Sequence, residues 1–354
     1  MERDEQRNGD FVAESRLIIL KDSITRPESP NNSILITFDE LKGWVTSGTI
    51  IRHFFKYQEA QLLSHRLGFI PKPLVAAVLL RLLSRRSCYF EDEHGERMII
   101  NAPTFLNLLW RLIRDFGRKA AFIERIDHEV ELLSSEGLKK QFAKNLDLYA
   151  PPVYLRTDLV FGLSSGGSVG HVAGVLNNLD NFTGKPIFIT TDSIPTVRGD
   201  LESHLILPSE GFWEFRELPS FNFNEVLEQN VQKLLRNQKL SFMYQRYSLN
   251  NFAGVKLARA YRVPFVLEYN GSEIWVGRNW VRPLKYESLS ERIELLNLRA
   301  ADVIVVISKP LRDELLARGI KDDKILVNPN GVNPGTYSPE VDGSVIRSKY
   351  DLEG

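Results

Sequence analysis

The regular alternation of short apolar runs with helical patterns between residues 153 and 327 is the feature that most constrains the fold. Strand-like runs occupy residues 153–161, 186–190, 240–247, 264–269, 302–307 and 324–327. Runs of this kind, rich in β-branched and aromatic residues, are typical of strands buried on both faces of a parallel sheet. Several of the segments between them have helical spacing. The sequence therefore predicts an α/β fold with a Rossmann-like parallel sheet and helices on both faces.

Two helices of this region have clear boundaries. The first follows the glycine pair in SSGGSVGHVAGVLNN, residues 164–178, and its apolar positions form one stripe at Val169, Val172, Ala173, Leu176 and Leu179. The second begins after Ser308, which can cap it, has Pro310 in its first turn and ends before Gly319. These local signals agree with the strand pattern.

Residues 1–150 form a separate extension, because two prolines in LYAPPVYLRTD mark a change of pattern near Ala150. We expect this extension to be mixed and helix-rich, and its sequence indicates no role. The segments SRLIILKD, TRPESPNNS and CYFEDEHGERMII predict a strand, a loop and a hairpin that turns at Gly95. Helices are predicted over residues 73–86 and 104–119.

The two predicted helices of the extension combine apolar residues with Arg and Lys and hold at most one acidic residue each. We favour the interpretation that they are core helices with a solvated cationic edge. In the second helix the expected core stripe consists of Phe105, Leu109, Leu112, Ile113 and Phe116. The alternative is that both helices lie on an anionic membrane surface.

Composition excludes several classes of protein. Lys plus Arg and Asp plus Glu both number 45, and no nucleic-acid-binding module is recognisable, so we expect no nucleic-acid partner. The single cysteine, Cys88, fits a reducing compartment, and we expect a cytoplasmic protein. No stretch approaches the roughly 20 apolar residues of a membrane span. The six histidines show no paired-ligand spacing, so no metal site is predicted.

The glycine pair Gly166 and Gly167 stands where a strand gives way to a helix. Glycines let the backbone approach a ligand, and the first N–H groups of the helix, around Ser168, suit an anion such as a diphosphate. His171 lies where it can face the same spot. The pattern matches neither the dinucleotide-binding fingerprint nor the Walker loop. From these residues alone, an anion site and a plain turn both stay open.

From residue 151 onward the chain resembles the acceptor-side, N-terminal domain of family-four glycosyltransferases, which have the two-domain GT-B architecture. The resemblance follows the order of the elements as well as the residues. A glycine pair precedes a helix, the strand in VPFVLEYNGSEIW ends in a polar loop, and a Glu-bearing helix runs into AAD. A strand ending at Ser308 and then NPNGVN and YSP complete it. The resemblance implies an acceptor-side domain over residues 151–335 and a linker over 336–354, toward a donor domain that we expect to be absent from this chain.

The resemblance also implies roles for single residues. Gly166 and Gly167 would face the cleft, with His171 just beyond them. Many members carry a histidine after the corresponding strand, whereas this chain has Asn270, so a histidine base at that position is not implied. Asn270 and Glu273 are expected to bind sugar hydroxyl groups.

Further expectations concern proton transfer, the binding of anions and the turn between the domains. Glu273 can accept a proton if its pKa is raised, so His171 and Glu273 are the catalytic candidates. Arg246 is expected either to bind a phosphate or carboxylate or to form a structural ion pair. Asn330 and Gly331 are expected to shape the turn between the domains.

These expectations together describe the acceptor-binding half of a glycosyltransferase. The whole enzyme would move a sugar from a nucleoside diphosphate sugar to a hydroxyl group of a sugar or lipid-linked acceptor during cell-surface glycan synthesis. The resemblance implies retention of configuration and neither metal nor cofactor, and we expect this chain alone to be inactive. One alternative is a non-catalytic subunit that pairs with a separate donor-domain chain. Another is an unrelated Rossmann-like enzyme that binds a different phosphate ligand at the glycine turn.

Overall fold

The computed structural model describes residues 16–21, 32–135, 146–331, 338, 340 and 342–352. Two sheets organise these residues, one of five strands and one of seven. Most of the predicted loop TRPESPNNS and part of the predicted linker over 336–354 lie outside the described residues. Within that linker, a helix spans Ser344–Tyr350.

The smaller sheet belongs to the N-terminal extension. Its strands are β1 (Arg16–Leu20), β2 (Ser33–Thr37), β3 (Tyr57–Ser64), β4 (Ser84–Asp92) and β5 (Arg97–Ile99), in the order β2-β1-β3-β4-β5. All neighbours are parallel except β4 and β5, which form the predicted hairpin around Gly95 with its φ of 81°. Helices α1 (Phe38–Thr46) and α2 (Pro73–Leu83) pack on this sheet. The prediction that the helix beginning at residue 73 extends to residue 86 is wrong, because Ser84 already pairs with Tyr57 in the sheet.

Helix α3 (Ala102–Ser135) is twice as long as predicted and connects the two cores. Near its start Leu108 packs in the core of the smaller sheet, whereas Phe122, Ile126 and Val130 pack in the core of the larger one. No helix in the described part of the chain, this one included, is both long and apolar enough to traverse a bilayer.

The core stripe predicted for this helix is wrong at three positions. Leu109, Ile113 and Phe116 are 38%, 55% and 63% exposed. The buried face instead runs through Leu108 and Asp115, seven residues apart, which is two helical turns. The carboxylate of Asp115 accepts a hydrogen bond from the backbone N–H of residue 212 at 2.8 Å, and this contact fixes which side of the helix faces inward.

The larger sheet contains all six predicted strands and one more. It comprises β6 (Val153–Arg156), β7 (Ile187–Thr190), β8 (Glu202–Leu205), β9 (Met243–Arg246), β10 (Phe265–Tyr269), β11 (Val303–Val306) and β12 (Ile325–Val327). The order is β12-β11-β10-β9-β6-β7-β8, and every pair is parallel. The chain order reverses between β6 and β9, so this is a doubly wound sheet with its switch point there.

Helices cover both faces of the larger sheet, as predicted. On one face lies α4 (Gly167–Leu179), whose Val172 and Leu176 pack with Tyr154 and Tyr244. On the other lie α5 (Leu218–Leu234), α6 (Ala253–Tyr261), α8 (Glu287–Ala300) and α9 (Lys309–Ala317), beside the second half of α3. A short helix α7 (Glu273–Val276) follows β10. Ser308 caps α9 and Gly319 follows it with a φ of 80°, both as predicted.

Candidate functional site

Charged and phenolic side chains gather on one face of the sheet at its switch point. Because side chains alternate along a strand, Tyr154 and Arg156 of β6 point to the same face. Arg246 on β9 is the register partner of Arg156, and Glu268 on β10 is the register partner of Arg246. The pleat therefore places a carboxylate and two guanidinium groups side by side under α4.

Glu268 is the centre of this group and is completely buried. Its carboxylate accepts hydrogen bonds from the hydroxyls of Tyr154 and Tyr244 at 3.1 Å each, from Arg246 at 2.5 Å and from the amide of Asn270 at 2.8 Å, and it pairs with His171 at 3.2 Å. Burial by itself raises the pKa of this carboxyl. The contact with His171 and the charge of Arg246 outweigh that effect and lower the pKa to about 2. Glu268 is therefore a permanent anion.

His171 lies in the second turn of α4, directly above Glu268. Its contact with Glu268 raises the pKa of the imidazole, even though burial opposes the charged form, and the side chain of Asn330 also bonds to it. A raised pKa favours the imidazolium ion. The group is thus better suited to stabilising negative charge than to abstracting a proton.

The glycine turn is open to solvent. Gly166 precedes α4 with a φ of 108°, a conformation that favours glycine, and both Gly166 and Gly167 are exposed. Apart from the immediate chain neighbours and the backbone of α4 itself, no heavy atom of the described residues lies within 4 Å of a Cβ built on either glycine. Among the same residues no side chain caps this helix end, and Ser168 in its first turn is half-buried. The backbone N–H groups of the first turn are therefore available to an anion.

Asn270 was expected to bind a sugar hydroxyl, and Arg246 either to bind an anion or to form a structural ion pair; both side chains bond to Glu268. The side chain of Arg246 is 19% exposed, and its pairing with Glu268 is the structural ion pair that the sequence left open. Asn270 follows β10 and donates its amide to the same carboxylate. Any contact of these two groups with a sugar or phosphate stays a prediction.

Glu273 stands at the first position of α7, whose N-terminus is capped by Ser272. Glu273 is exposed, but the protein around its carboxyl raises the pKa of that group by desolvation, and the charge of Arg246 only partly offsets this. A carboxyl group with a raised pKa is a competent proton acceptor. The structure brings it into the same electrostatic environment as the Glu268 cluster without a direct bond.

Sequence reasoning missed Glu268 and its tyrosine partners. The sequence carried a signal for them, because the strands VYLR, MYQR and FVLEY hold polar residues among apolar ones. Since side chains alternate along a strand, Tyr154, Tyr244 and Glu268 fall on one face of the sheet. Asn330, expected only to shape a turn, also reaches this cluster. In the described ranges of the chain, no group of three or more His, Cys, Asp or Glu side chains is arranged to hold a metal ion.

Comparison with protein families identifies part of this region. Residues 195–331 match the family model described as glycosyl transferase 4-like domain. The matched stretch includes β9 to β12, with Arg246 on β9, Asn270 after β10 and Glu273 at the start of α7. This part of the chain is therefore a family-four-like glycosyltransferase domain, in agreement with the resemblance noted in the sequence. No curated protein matches the chain.

The solved structures to which the chain is similar are distant. The UDP-N-acetylglucosamine 2-epimerase of Rickettsia bellii is 13% identical, with a TM-score of 0.35 over 58% of this chain and 49% of that protein. The S. aureus MnaA–UDP complex is 14% identical, with a TM-score of 0.37 over 57% of this chain and 50% of that protein. The lipopolysaccharide outer core galactosyltransferase WaaB is 15% identical, with a TM-score of 0.34 over 54% of this chain and 50% of that protein. The chain spans about half the length of these proteins, and likenesses at this distance carry no argument about chemistry.

Proposed function

We propose, taking residues 195–331 as a family-four-like glycosyltransferase domain, that this chain forms the acceptor-binding half of a sugar-nucleotide-dependent glycosyltransferase. The enzyme would transfer a sugar from a nucleoside diphosphate sugar to a hydroxyl group of a sugar or lipid-linked acceptor. One observation carries the proposal. The open N-terminus of α4 and the His171–Glu268–Arg246 cluster occur together at the switch point of a doubly wound sheet, where ligands of such sheets bind.

The departing diphosphate is the group that α4 suits. Its negative charge grows as the bond to the sugar breaks, and the free N–H groups at Gly167 and Ser168 point toward such an anion. The His171 imidazolium, held by Glu268, adds a fixed positive charge on the same helix. Preorganised charges of this kind lower the barrier because they need no reorientation during the reaction.

The acceptor side falls to the loop after β10. In the proposed enzyme Asn270 binds an acceptor hydroxyl and Glu273, with its raised pKa, accepts the proton as that hydroxyl attacks. Retention of configuration, a reaction without metal or cofactor, and a role in cell-surface glycan synthesis are proposals that rest on the family resemblance.

A second lobe completes the proposed enzyme. The family resemblance implies that this second lobe, the donor domain, holds most of the donor diphosphate. We propose that it is supplied by a further stretch of the protein or by a separate chain. This chain would then bind a nucleoside diphosphate weakly and turn over no nucleotide sugar by itself.

The substitution Gly167→Asp tests the role of the helix end. The added carboxylate has open space and should repel a diphosphate, lowering the affinity of the purified chain for UDP, GDP and ADP at least about tenfold in equilibrium dialysis. The same carboxylate favours the positive end of α4, so the thermal midpoint should stay the same or rise. Lost binding can therefore not be ascribed to unfolding.

The matched control is Gly174→Asp. Gly174 is also exposed, has the same open surroundings and lies on the same helix, about 10 Å from Gly167 at 1.5 Å per residue. The affinity of this variant for the three nucleotides should remain within about twofold of that of the unmodified chain. Equal binding by both variants, or no binding by the unmodified chain at millimolar nucleotide, would contradict the proposed phosphate site.

A further inference from the structure

A row of large apolar side chains on the first half of α3 lies outside both cores. Leu106, Leu109, Trp110, Ile113 and Phe116 are between 38% and 65% exposed. Their spacing of three and four residues places them on one face of the helix, over a length of about 15 Å. Solvent exposure of five such residues in one row is unusual, because a contiguous apolar patch ordinarily marks a surface that contacts something.

Cationic side chains border this row. Arg111, Arg114 and Arg118 line a groove of about 620 Å³ between α3 and the segment 209–212, and Trp110 contributes to its wall. Lys119 lies 4.7 Å over the ring of Phe116. Between residues 102 and 119 the helix carries four cations and one acid, the buried Asp115.

Part of this positive charge is balanced locally. Arg111 pairs with Glu210 at 3.1 Å, and Arg114 pairs with Asp115 at 2.9 Å. Arg118 instead lies over the ring of Phe212 at 5.9 Å. Counting Arg111, Arg114, Arg118, Lys119, Asp115 and Glu210, the surface keeps a net charge of +2. Helix α2 contacts α3 and leaves two more apolar side chains exposed, Val75 and Val78.

We propose that this surface, residues 106–119 of α3, docks on an anionic lipid bilayer. The apolar row would enter the boundary between headgroups and acyl chains, and the arginines would contact lipid phosphates. Trp110 lies where the row meets the cationic groove, an arrangement that suits an indole at a membrane interface. Charge complementarity favours a bilayer over a second copy of the chain, since two such cationic faces would repel each other. The docking surface is independent of glycosyl transfer.

Vesicle flotation with the full chain tests this surface. With phosphatidylcholine vesicles containing roughly 30% phosphatidylglycerol, most of the protein should float, and with pure phosphatidylcholine little should float. The double variant Trp110→Ser/Phe116→Ser should lower the affinity for the anionic vesicles at least about tenfold. Arg118→Glu should have a similar effect, and raised salt should weaken binding of the unmodified chain.

The matched control is Phe182→Ser. Phe182 is 78% exposed in the turn after α4, so this variant removes an even more exposed aromatic ring from another part of the surface and should float like the unmodified chain. All of these residues are largely exposed, and their variants should keep the thermal midpoint. Equal recovery with anionic and neutral vesicles would overturn the proposal. So would unchanged flotation of the Trp110/Phe116 variant, or a dimer in light scattering that the same variant dissociates.

Discussion

At the scale of single residues, Glu268 decides how the site is organised. A fully buried carboxylate is tolerated because five side chains neutralise and bond to it. Two of these partners, Arg246 and the protonated form of His171, carry positive charge and come from different elements. Glu268 therefore fixes the position of α4 relative to β9 as well as the charge state of the imidazole above it.

Glu268→Gln should change both the stability of the protein and the titration of His171. The variant leaves Arg246 without its buried counter-charge, and the free energy of unfolding should fall by about 3–5 kcal/mol. The pKa of His171 should fall as well, because the contact that raises it is lost while burial and Arg246 still act against the charged form. A histidine-resolved NMR titration measures this. Glu202→Gln, at the exposed Glu202–His204 pair, is the control and should leave the His171 curve unchanged.

The pH dependence of stability should follow from the same pair. The pKa of His171 is higher in the folded protein than the ordinary value of 6.5, so its contribution is complete below about pH 6.5 and is lost as pH rises through the raised pKa. The pKa of Glu268 is depressed from 4.5 to about 2, so its contribution is complete above about pH 4.5 and is lost toward pH 2. Urea unfolding should therefore show that the free energies of unfolding of the unmodified chain and of Glu268→Gln differ most between about pH 4.5 and about pH 6.5. A difference that grows above pH 8 would contradict the assigned pair.

At the scale of secondary structure elements, α3 has two halves with different surroundings. Its second half buries Ile126, which is 2% exposed, whereas Ile113 in the first half is 55% exposed. Ile126→Ala should lower the free energy of unfolding by about 2–5 kcal/mol, and Ile113→Ala by less than about 0.5 kcal/mol. Urea denaturation of the two variants is an internal comparison, since residue type, substitution and helix are the same. Equal losses would show that the two halves are not packed as described.

The elements show where sequence reasoning worked and where it did not. Six of the seven strands of the larger sheet and the ends of α9 were predicted, because apolar runs, the cap at Ser308 and the glycine at 319 are local signals. The sequence favoured a core position for the row on α3 over the alternative of a surface helix, since Leu109, Ile113 and Phe116 have the spacing of a core stripe. Which side of a long amphipathic helix is buried depends on a tertiary contact, here that of Asp115.

The candidate site was predicted in part for a similar reason. The glycine turn and His171 are recognisable because a strand, a turn and a helix follow each other along the chain. Glu268 becomes important only when β6, β9 and β10 are neighbours, and it lies 97 residues after His171 in the sequence. An alternating pattern of polar residues in apolar strands was the available signal.

At the scale of the whole molecule, the N-terminal extension packs against one rim of the site without covering it. His65, which follows β3, lies against the backbone of Gly162, whose φ of 73° and contact with the ring leave no space for a side chain. Arg66 approaches Asp192 at 3.9 Å across the same interface. Gly166 and Gly167, four and five residues further along, stay exposed. The extension therefore leaves the end of α4 open to a ligand.

The central claim is that this open end of α4 receives the phosphate groups of a nucleotide sugar. The most direct measurement is an NMR titration of the chain, labelled with ¹⁵N in its 23 glycines, with UDP, GDP and ADP in turn. We expect the amide signals of Gly166, Gly167 and Gly170 to shift together with ligand concentration, while that of Gly319, beyond the C-terminal end of α9, does not move. Shifts confined to glycines outside α4 and its preceding turn, or none with any of the three nucleotides, would contradict the account.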